Sequence, residues 1–259
     1  GEPISLFFFP GPLADDVAGA VLGFHIDLTD IFADDAQTHQ LHTAHEADDA
    51  HDGGPAGHAA AHGGAHDGPD DPDKANQAYE PPVLVSCGGL EKPNLITIGW
   101  TGTICTQPSM VSISVRPERY SHHLIQESGQ FAINLPTEAL VRSVDWCGVK
   151  SGRDVDKFAA CGLHAAPGTV LTDCPILEES PVNLECRVTQ VIPLGSHDLF
   201  LAEVVACDVD ESLLDESGKL CLEKAKLIVY SHGEYLALGR KLGTFGYSVR
   251  KKKPVKRCN

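Results

Sequence analysis

The sequence lacks three features, and each absence excludes a class of protein. It has no apolar run of roughly 18 residues, so no membrane-spanning helix is predicted. It has neither G-x-x-x-x-G-K-[ST] nor G-x-G-x-x-G, so the common nucleotide-binding fingerprints are missing. Its nine cysteines include no C-x-x-C pair. Scattered single cysteines argue against a disulfide framework and predict a reducing, cytoplasmic location.

Basic residues are almost missing from the first third of the chain. Residues 1–79 contain 15 acidic residues and one basic residue, Lys74, whereas the whole chain has 36 acidic and 20 basic residues. The net charge of −16 therefore belongs mainly to this segment. Because no broad basic surface is predicted outside the last few residues, nucleic acid is not an expected partner.

Large apolar residues are scarce between residues 34 and 73, where Leu41 is the one leucine and no aromatic residue occurs. Such a segment cannot bury enough apolar surface to offset the entropy of ordering its backbone, which predicts disorder. We therefore divide the chain into a largely disordered acidic extension (residues 1–79), a folded domain (80–251) and a basic C-terminal tail (252–259).

Histidines recur in the acidic extension, in places every three residues and with carboxylates between them. Imidazole and carboxylate groups suit zinc, nickel or copper, so weak metal binding is one interpretation. A low-complexity linker without a metal is the other. The candidate ligands are His39, His42, His45, His51, His58, His62 and His66.

From residue 80 onward, short apolar runs are separated by Gly, Pro and polar residues, a pattern typical of β-strands. Residues 182–188 alternate apolar and polar side chains, which indicates a strand buried on one face. Helices are few and short, with Ser121, Thr137 and Asp154 as predicted N-caps. This pattern favours a mainly β barrel or sandwich of antiparallel strands. The predicted strands are Val83–Cys87, Leu95–Trp100, Met110–Val115, Phe131–Leu135, Val182–Thr189, Leu199–Val209 and Leu227–Tyr230.

The stretch Asn94–Ser121 combines the parts of a site for a phosphorylated ligand. Its order is strand, hydroxyl- and glycine-rich loop (Gly99–Thr103), strand, two arginines and a serine at a predicted helix start. Arg116 offers a planar fork to phosphate oxygens, and free amides at a helix start favour an anion. An ordinary Gly/Thr turn and a solvated loop with a capping serine are the alternatives.

Three further segments carry polar groups that could contact a ligand. The charged run 150–158 contains lysines that could bind phosphate, or it is a plain helix start with local ion pairs. Ser196, His197 and Asp198 cannot form a catalytic triad as consecutive strand residues, because their side chains alternate between faces. The segment Tyr230–Tyr235 offers an aromatic ring for stacking, although aromatics at a strand end more often belong to the core.

The order of these segments resembles the flavin reductase-like, or flavoredoxin, family over roughly residues 82–251. The segments that carry the resemblance are PVLVSCG from Pro82, KPN from Lys92, WTGT from Trp100, SISVRP from Ser112, YS from Tyr120, FAINLP from Phe131, DVDKF from Asp154, SPVNLEC from Ser180, GSHD from Gly195 and HGEY from His232.

The resemblance implies a mainly β fold, a six-stranded antiparallel Greek-key split β-barrel that forms a homodimer and binds FMN near the subunit interface. Trp100, Thr101, Gly102 and Thr103 would line the flavin ring and ribityl chain. Arg116 and Ser121, with Arg119 as a weaker candidate, would take the phosphate, and Lys157, His197 and Tyr230 would approach the isoalloxazine.

The function that follows from the resemblance is an FMN-dependent oxidoreductase, in which the flavin carries the chemistry and no side chain is assigned a catalytic role. Electrons would pass from NAD(P)H or a redox partner to a flavin, a metal complex or a redox protein. One alternative is a non-enzymatic FMN electron carrier. Another is a metal-binding extension tethered to a flavin domain that reduces the metal.

Overall fold

The computed structural model of the chain describes residues 4–7, as backbone, and residues 80–250. The predicted metal ligands, the basic tail and all of the predicted extension except residues 4–7 fall outside these described residues. Twelve strands and three α-helices are described. The strands are β1 Ile4–Phe7, β2 Val83–Cys87, β3 Asn94–Ile98, β4 Thr101–Thr106, β5 Ser109–Val115, β6 Gln130–Asn134, β7 Ala165–Pro167, β8 Pro175–Leu177, β9 Val182–Pro193, β10 Asp198–Val209, β11 Ile228–Ser231 and β12 Glu234–Ala237. The helices are α1 Tyr120–Ser128, α2 Val141–Val149 and α3 Lys157–Cys161, and 3₁₀ turns span Glu138–Leu140, Glu211–Leu213, Leu222–Ala225 and Tyr247–Val249.

One antiparallel sheet organises the domain. Its strand order is β3-β2-β6-β9-β10-β5-β4, and β1 pairs with β10 beside this path. Although β3 lies at one end of the sheet, it contacts β5 near the other end, so the sheet curls on itself. Two small ribbons, β7–β8 and β11–β12, complete the described strands.

Strand β2 is buried on both faces, which explains its continuous apolar sequence. Val83, Val85 and Cys87 face the interior of the curled sheet, where they join the main core. Leu84 faces the opposite side and packs with Leu95 and residues of α2 and α3. Successive strand residues point to opposite faces, so one five-residue strand contributes to two cores.

A fully buried asparagine joins the sheet to β8. The Asn134 side-chain amide donates to the Leu84 carbonyl oxygen at 2.7 Å and to Ser86 Oγ at 2.9 Å. Asn134 Oδ1 accepts a hydrogen bond from the Leu177 backbone amide at 2.9 Å. Buried polar groups are costly unless paired, and here one side chain satisfies partners on two other strands.

The predicted mainly β, antiparallel fold class is confirmed, but the main sheet has eight strands and not six. The predicted loop Gly99–Thr103 is largely strand, because β4 begins at Thr101 and pairs with β5. Its β-branched threonines face Ile113 and Val111 across the ladder. The predicted strand Leu95–Trp100 ends earlier, at Ile98.

Two of the three predicted N-caps are wrong. Ser121 lies inside the first turn of α1, where Arg119 occupies the N-cap position, and its hydroxyl is engaged by the distant Asn94. Asp156, and not Asp154, caps α3 by accepting a hydrogen bond from the Ala159 amide at 3.0 Å. Thr137 does occupy an N-cap position, that of the 3₁₀ turn that precedes α2.

Among the described residues, every helix is too short or too polar to span a lipid bilayer.

Replacing Asn134 by alanine removes the side-chain hydrogen bonds to the Leu177 amide and the Leu84 carbonyl oxygen. We expect Asn134→Ala to lower the free energy of unfolding by about 2–4 kcal/mol, because buried backbone groups lose their partners. Urea unfolding monitored by circular dichroism measures the change. The exposed strand residue Gln190 is the control, and Gln190→Ala should change stability by less than about 0.5 kcal/mol. Equal effects at the two positions would contradict this role of Asn134.

Candidate functional site

The candidate site lies at the seam where the two edges of the curled sheet approach each other. Only Gly99 and Trp100 connect edge strand β3 to edge strand β4. The Trp100 carbonyl accepts a hydrogen bond from the Ser114 amide at 3.0 Å, which ties the connection to β5. Side chains from β3, from the end of β5 and from the loops around them therefore converge here.

A cavity of about 720 Å³ opens at this seam, within the size range of small-molecule sites. Its lining includes five of the predicted site residues, one from the seam connection, two from the loop after β5, one from the β9–β10 turn and one from β11. These residues are Trp100, Arg116, Arg119, His197 and Tyr230. We call this the larger cavity.

A second cavity of about 300 Å³, the smaller cavity, lies beside the first and shares Ile96, Arg116 and Arg119 with it. Its lining includes five basic side chains against a single carboxylate, Glu118, and it includes Ser121 near the start of α1. Guanidinium, ammonium and hydroxyl donors in one concave surface suit a phosphate group. The basic side chains are Arg116, Arg119, Lys150, Arg153 and Lys157.

Lys157 is the buried cation of the smaller cavity, with 3% of its surface exposed. Its Nζ donates to the Cys147 carbonyl oxygen at 2.7 Å, which holds the side chain against α2. Burial lowers the pKa of Lys157, and the nearby charge of Arg119 lowers it further. An anion bound in this cavity would oppose both effects, because negative charge favours the protonated amine.

His197 and Trp100 form a ring pair in the larger cavity, with centroids 4.6 Å apart and planes tilted by 39°. Trp100 is 42% exposed, so its ring lies at the surface of the cavity and not in the core. Burial and the charge of Arg116 lower the pKa of His197, which favours a neutral imidazole at pH 7. An aromatic face beside a neutral hydrogen-bonding ring suits a flat heterocycle.

Ser196, His197 and Asp198 do not form a catalytic relay. Ser196 Oγ lies 3.0 Å from His197 Nδ1, but Asp198 Oδ2 pairs with His122 Nε2 at 2.8 Å. The His122–Asp198 pair instead connects α1 to the start of β10, and the His122 ring packs edge-on against Phe200. The three residues therefore form no triad, but the reason differs from the predicted strand alternation, because Ser196 and His197 lie in the turn between β9 and β10.

Asn94 lies outside both cavity linings, but its side chain supports the lining residues Ser121 and Gly152. Its side-chain amide donates to Ser121 Oγ at 2.8 Å, while its Oδ1 is buried and has no hydrogen-bond partner in the described part of the chain. Gly152 lies directly against this side chain, and a Cβ there would meet Asn94 Oδ1 and come within 2.9 Å of the Tyr120 ring. The glycine is therefore required by close packing at the cavity.

Three predicted site residues lie outside the linings of both cavities. Thr101 Oγ1 donates to the Ser112 carbonyl oxygen at 3.0 Å, and Thr103 Oγ1 is buried without a partner in the described residues. A Cβ on Gly102 would meet no atom within 4 Å, so close packing within this chain does not require that glycine.

Glu80, Asp145 and Tyr235 also line the larger cavity. Of these, only Tyr235 belongs to a segment predicted to contact a ligand, Tyr230–Tyr235. Glu80 precedes the predicted strands, Asp145 lies on a predicted helix and Tyr235 follows a turn. The only local signal at Glu80 and Asp145 is a polar side chain beside an apolar run. Many surface residues have the same signal. The proximity of the three residues depends on long-range pairing, such as the backbone bridge between Glu80 and Tyr230.

The two joined cavities can hold a ligand with an anionic end and a flat aromatic part. The smaller cavity provides cationic donors and the Ser121 hydroxyl, and the larger cavity provides aromatic rings. FMN has this chemistry, since it combines a phosphate with a flavin ring. Within residues 80–250, no group of three or more His, Cys, Asp or Glu side chains is arranged to bind a metal ion.

Comparison with known proteins agrees with this geometry. Residues 77–239 match the family described as the flavin reductase like domain. The chain is similar in structure to the flavoredoxin of Desulfovibrio vulgaris (Miyazaki F), with a TM-score of 0.62 and 31% identity over 66% of this chain and 93% of that protein. The FMN-binding protein of Thermus thermophilus is similar with a TM-score of 0.58 and 26% identity, over 72% of this chain and 99% of that protein.

An NADPH-flavin oxidoreductase of Streptomyces viridifaciens is 31% identical to the chain over 111 residues. The similarity spans 42% of this chain and 56% of the Streptomyces protein. The curled antiparallel sheet of the present chain agrees with the split-barrel fold named for a structural neighbour from Shewanella frigidimarina.

A side chain at position 152 should close part of the smaller cavity. We expect Gly152→Ala to weaken FMN binding about tenfold, because overpacking against Asn94 and Tyr120 typically costs 1–3 kcal/mol. Quenching of FMN fluorescence on titration with apoprotein measures the affinity. Gly89→Ala is the control, since a Cβ there meets no atom within 4 Å. Unchanged FMN affinity in a folded Gly152→Ala variant would contradict the proposed placement of the ligand.

Proposed function

The chain belongs to the flavin reductase-like family, and we propose that it is an FMN-binding oxidoreductase. In this proposal, electrons pass from a reduced nicotinamide to a flavin, a metal complex or a redox protein. The observation that carries the proposal is the pair of joined cavities at the sheet seam, one lined by cations and the other by aromatic rings. The names of the similar proteins support the same cofactor and reaction class.

The phosphate of FMN would bind in the smaller cavity. Arg116 and Arg119 line the junction of the two cavities, where they can reach a phosphate whose ring lies in the larger cavity. The Ser121 hydroxyl receives a hydrogen bond from Asn94 and can donate its own hydrogen to a phosphate oxygen. Lys157 adds a positive charge, close enough to Arg119 for the two charges to interact.

The isoalloxazine ring would bind in the larger cavity beside Trp100, His197 and Tyr230. Bound FMN supplies hydride and single-electron chemistry, which the protein side chains do not. The role of the chain is to orient the ring and to place donors near it. His197 can donate a hydrogen bond to the ring, whereas Lys157, predicted to approach the ring, lines the smaller cavity and would act on the phosphate.

The contribution of Arg116 to phosphate binding can be separated from general effects on the fold. We expect Arg116→Ala to weaken FMN binding about tenfold or more, because a hydrogen bond to a charged group contributes about 1.5–3 kcal/mol. Riboflavin lacks the phosphate, so its affinity should change little. Fluorescence titration of the variant and the unchanged chain with FMN and with riboflavin gives the loss of affinity for each ligand. Arg142→Ala is the control, since Arg142 is an exposed arginine on α2 outside both linings. Equal losses for FMN and riboflavin would contradict the assignment.

A second candidate function is a non-enzymatic FMN electron carrier. The similarity to a flavoredoxin over 93% of that protein favours it, as does the absence of a dinucleotide fingerprint in the sequence. The Streptomyces NADPH-flavin oxidoreductase favours the reductase. Both functions use the same cofactor site and differ in whether a nicotinamide is accepted as donor.

Steady-state oxidation of NADH and NADPH by the FMN-loaded chain distinguishes the two functions. We expect turnover above about 1 per second with at least one nicotinamide when free flavin is present, in the range of ordinary enzymes. The measurement is the fall in absorbance of NADH or NADPH as it is oxidised, and the chain without FMN is the control. No turnover with any acceptor, together with tight FMN binding, would support the carrier and contradict the reductase.

A homodimer is proposed from the exposed apolar side chains of the last described segment. Phe245 is 98% exposed, and Leu242 and Val249 are each 82% exposed. Several large apolar groups in one short segment are typical of an interaction surface. Family members are expected to form dimers, so we propose that a second copy of the chain covers this apolar segment. Analytical ultracentrifugation of the full chain tests the dimer.

A cytoplasmic location is also proposed. Every cysteine among the described residues is a free thiol, although Cys147 Sγ and Cys161 Sγ lie only 4.0 Å apart. Cysteines that occur singly and without a disulfide framework are typical of proteins from a reducing compartment. Alkylation of cysteines in freshly lysed cells, followed by mass spectrometry, measures their redox state.

A further inference from the structure

One side of the larger cavity is a continuous series of contacts between two carboxylates and three aromatic rings. We call Asp145, Tyr235, Tyr230, Glu80 and Trp100 the acidic wall. Tyr235 Oη donates to Asp145 Oδ1 at 3.4 Å, and the rings of Tyr235 and Tyr230 have centroids 5.2 Å apart. Tyr230 and Glu80 exchange backbone hydrogen bonds of 3.0 and 2.9 Å, and the Trp100 side chain donates to the Glu80 carboxylate.

Three of these side chains, Glu80, Asp145 and Tyr235, have no role in the binding of FMN as proposed above. Neither Glu80 nor Asp145 forms an ion pair with a basic side chain of the described residues. The Glu80 carboxylate lies directly against Gly99, where a Cβ would collide with it, so the chain places it at the seam. Burial raises the pKa of Glu80, as expected for a carboxylate that faces a cavity without a cationic partner.

The positive charges of the cavity lie elsewhere. Arg116 and Arg119 line both cavities, and a phosphate bound between them would offset their charge. Burial and Arg116 lower the pKa of His197, which leaves its ring neutral at pH 7. With FMN in place, the acidic wall is therefore the main charged surface that a second molecule meets in the larger cavity.

We propose that the acidic wall selects a flat, positively charged organic molecule as the electron acceptor. This inference rests on the proposed function. Tyr235, whose ring is not assigned to the flavin, can attract a cation through its face, and the carboxylates of Glu80 and Asp145 add direct Coulomb attraction. The same groups disfavour anions of equal size. Overall, a reduced nicotinamide transfers a hydride equivalent, two electrons and one proton, to the cationic acceptor, and the products are the oxidised nicotinamide and a neutral reduced acceptor.

The test compares two flat dyes of similar size and opposite charge, methylene blue as the cation and 2,6-dichlorophenolindophenol as the anion at pH 8. Equilibrium dialysis against the oxidised, FMN-loaded chain without a donor measures binding independently of turnover. We expect methylene blue to bind at least about fivefold more tightly than the anionic dye, a preference that falls as salt screens the charges.

Glu80→Gln and Asp145→Asn each remove one charge, and glutamine at position 80 can still accept the Trp100 hydrogen bond. Each variant should lower methylene blue affinity by about threefold to fivefold and leave the anionic dye unchanged or bound more tightly. Glu127→Gln is the matched control, because Glu127 is exposed on α1 outside both cavity linings. It should leave the preference unchanged.

Equal binding of the two dyes would overturn the inference, and so would a preference that survives both substitutions or that Glu127→Gln reduces equally. FMN affinity is measured first in every variant. A chain that binds no FMN contradicts the proposed function, whereas a chain that binds FMN without preferring the cation contradicts only the selection by the acidic wall.

Discussion

A connection of two residues constrains the whole domain. Strand β3 lies at one end of the sheet path and β4 at the other, yet only Gly99 and Trp100 separate them. Such a connection spans roughly 10 Å at most, so the two edges of the sheet have to lie side by side. The sheet therefore curls, and its unclosed seam becomes the floor of the larger cavity. Gly99 and Trp100 both line that cavity. The connection that forces the sheet to curl therefore also places the Trp100 ring at the cavity.

Burial of charge is the second constraint at the site. Lys157 is held in the interior by one carbonyl oxygen, and its lowered pKa reflects the cost of removing an ammonium group from water. Arg116 and Arg119 remain nearer to solvent. A phosphate between these groups, as proposed, would offset the repulsion among them. Preorganised donors of this kind favour ligand binding at a cost to the stability of the free protein.

The fold class and several strand positions follow from local pattern, whereas other details depend on distant partners. The strand Val83–Cys87 was predicted to its exact ends, since its apolar residues and flanking turn signals are local. Ser121 was predicted as an N-cap because its sequence neighbours suit one, but Asn94, 27 residues away, engages its hydroxyl. Similarly, Thr101 and Thr103 read as loop because glycine lies between them, while pairing with β5 makes them strand.

The sequence by itself determined the alternation of short β runs, the order of the ligand-contact segments and the charge contrast between the extension and the folded domain. These are properties of residue type and spacing, which need no knowledge of contacts. Only the tertiary structure decided that Glu80, Asp145 and Tyr235 share a cavity with Trp100, and that Thr101–Thr103 lie outside it. Curling of the sheet places residues as far apart in the chain as Glu80 and Tyr235, 155 positions, in one cavity. A local sequence pattern cannot predict contacts over such a separation.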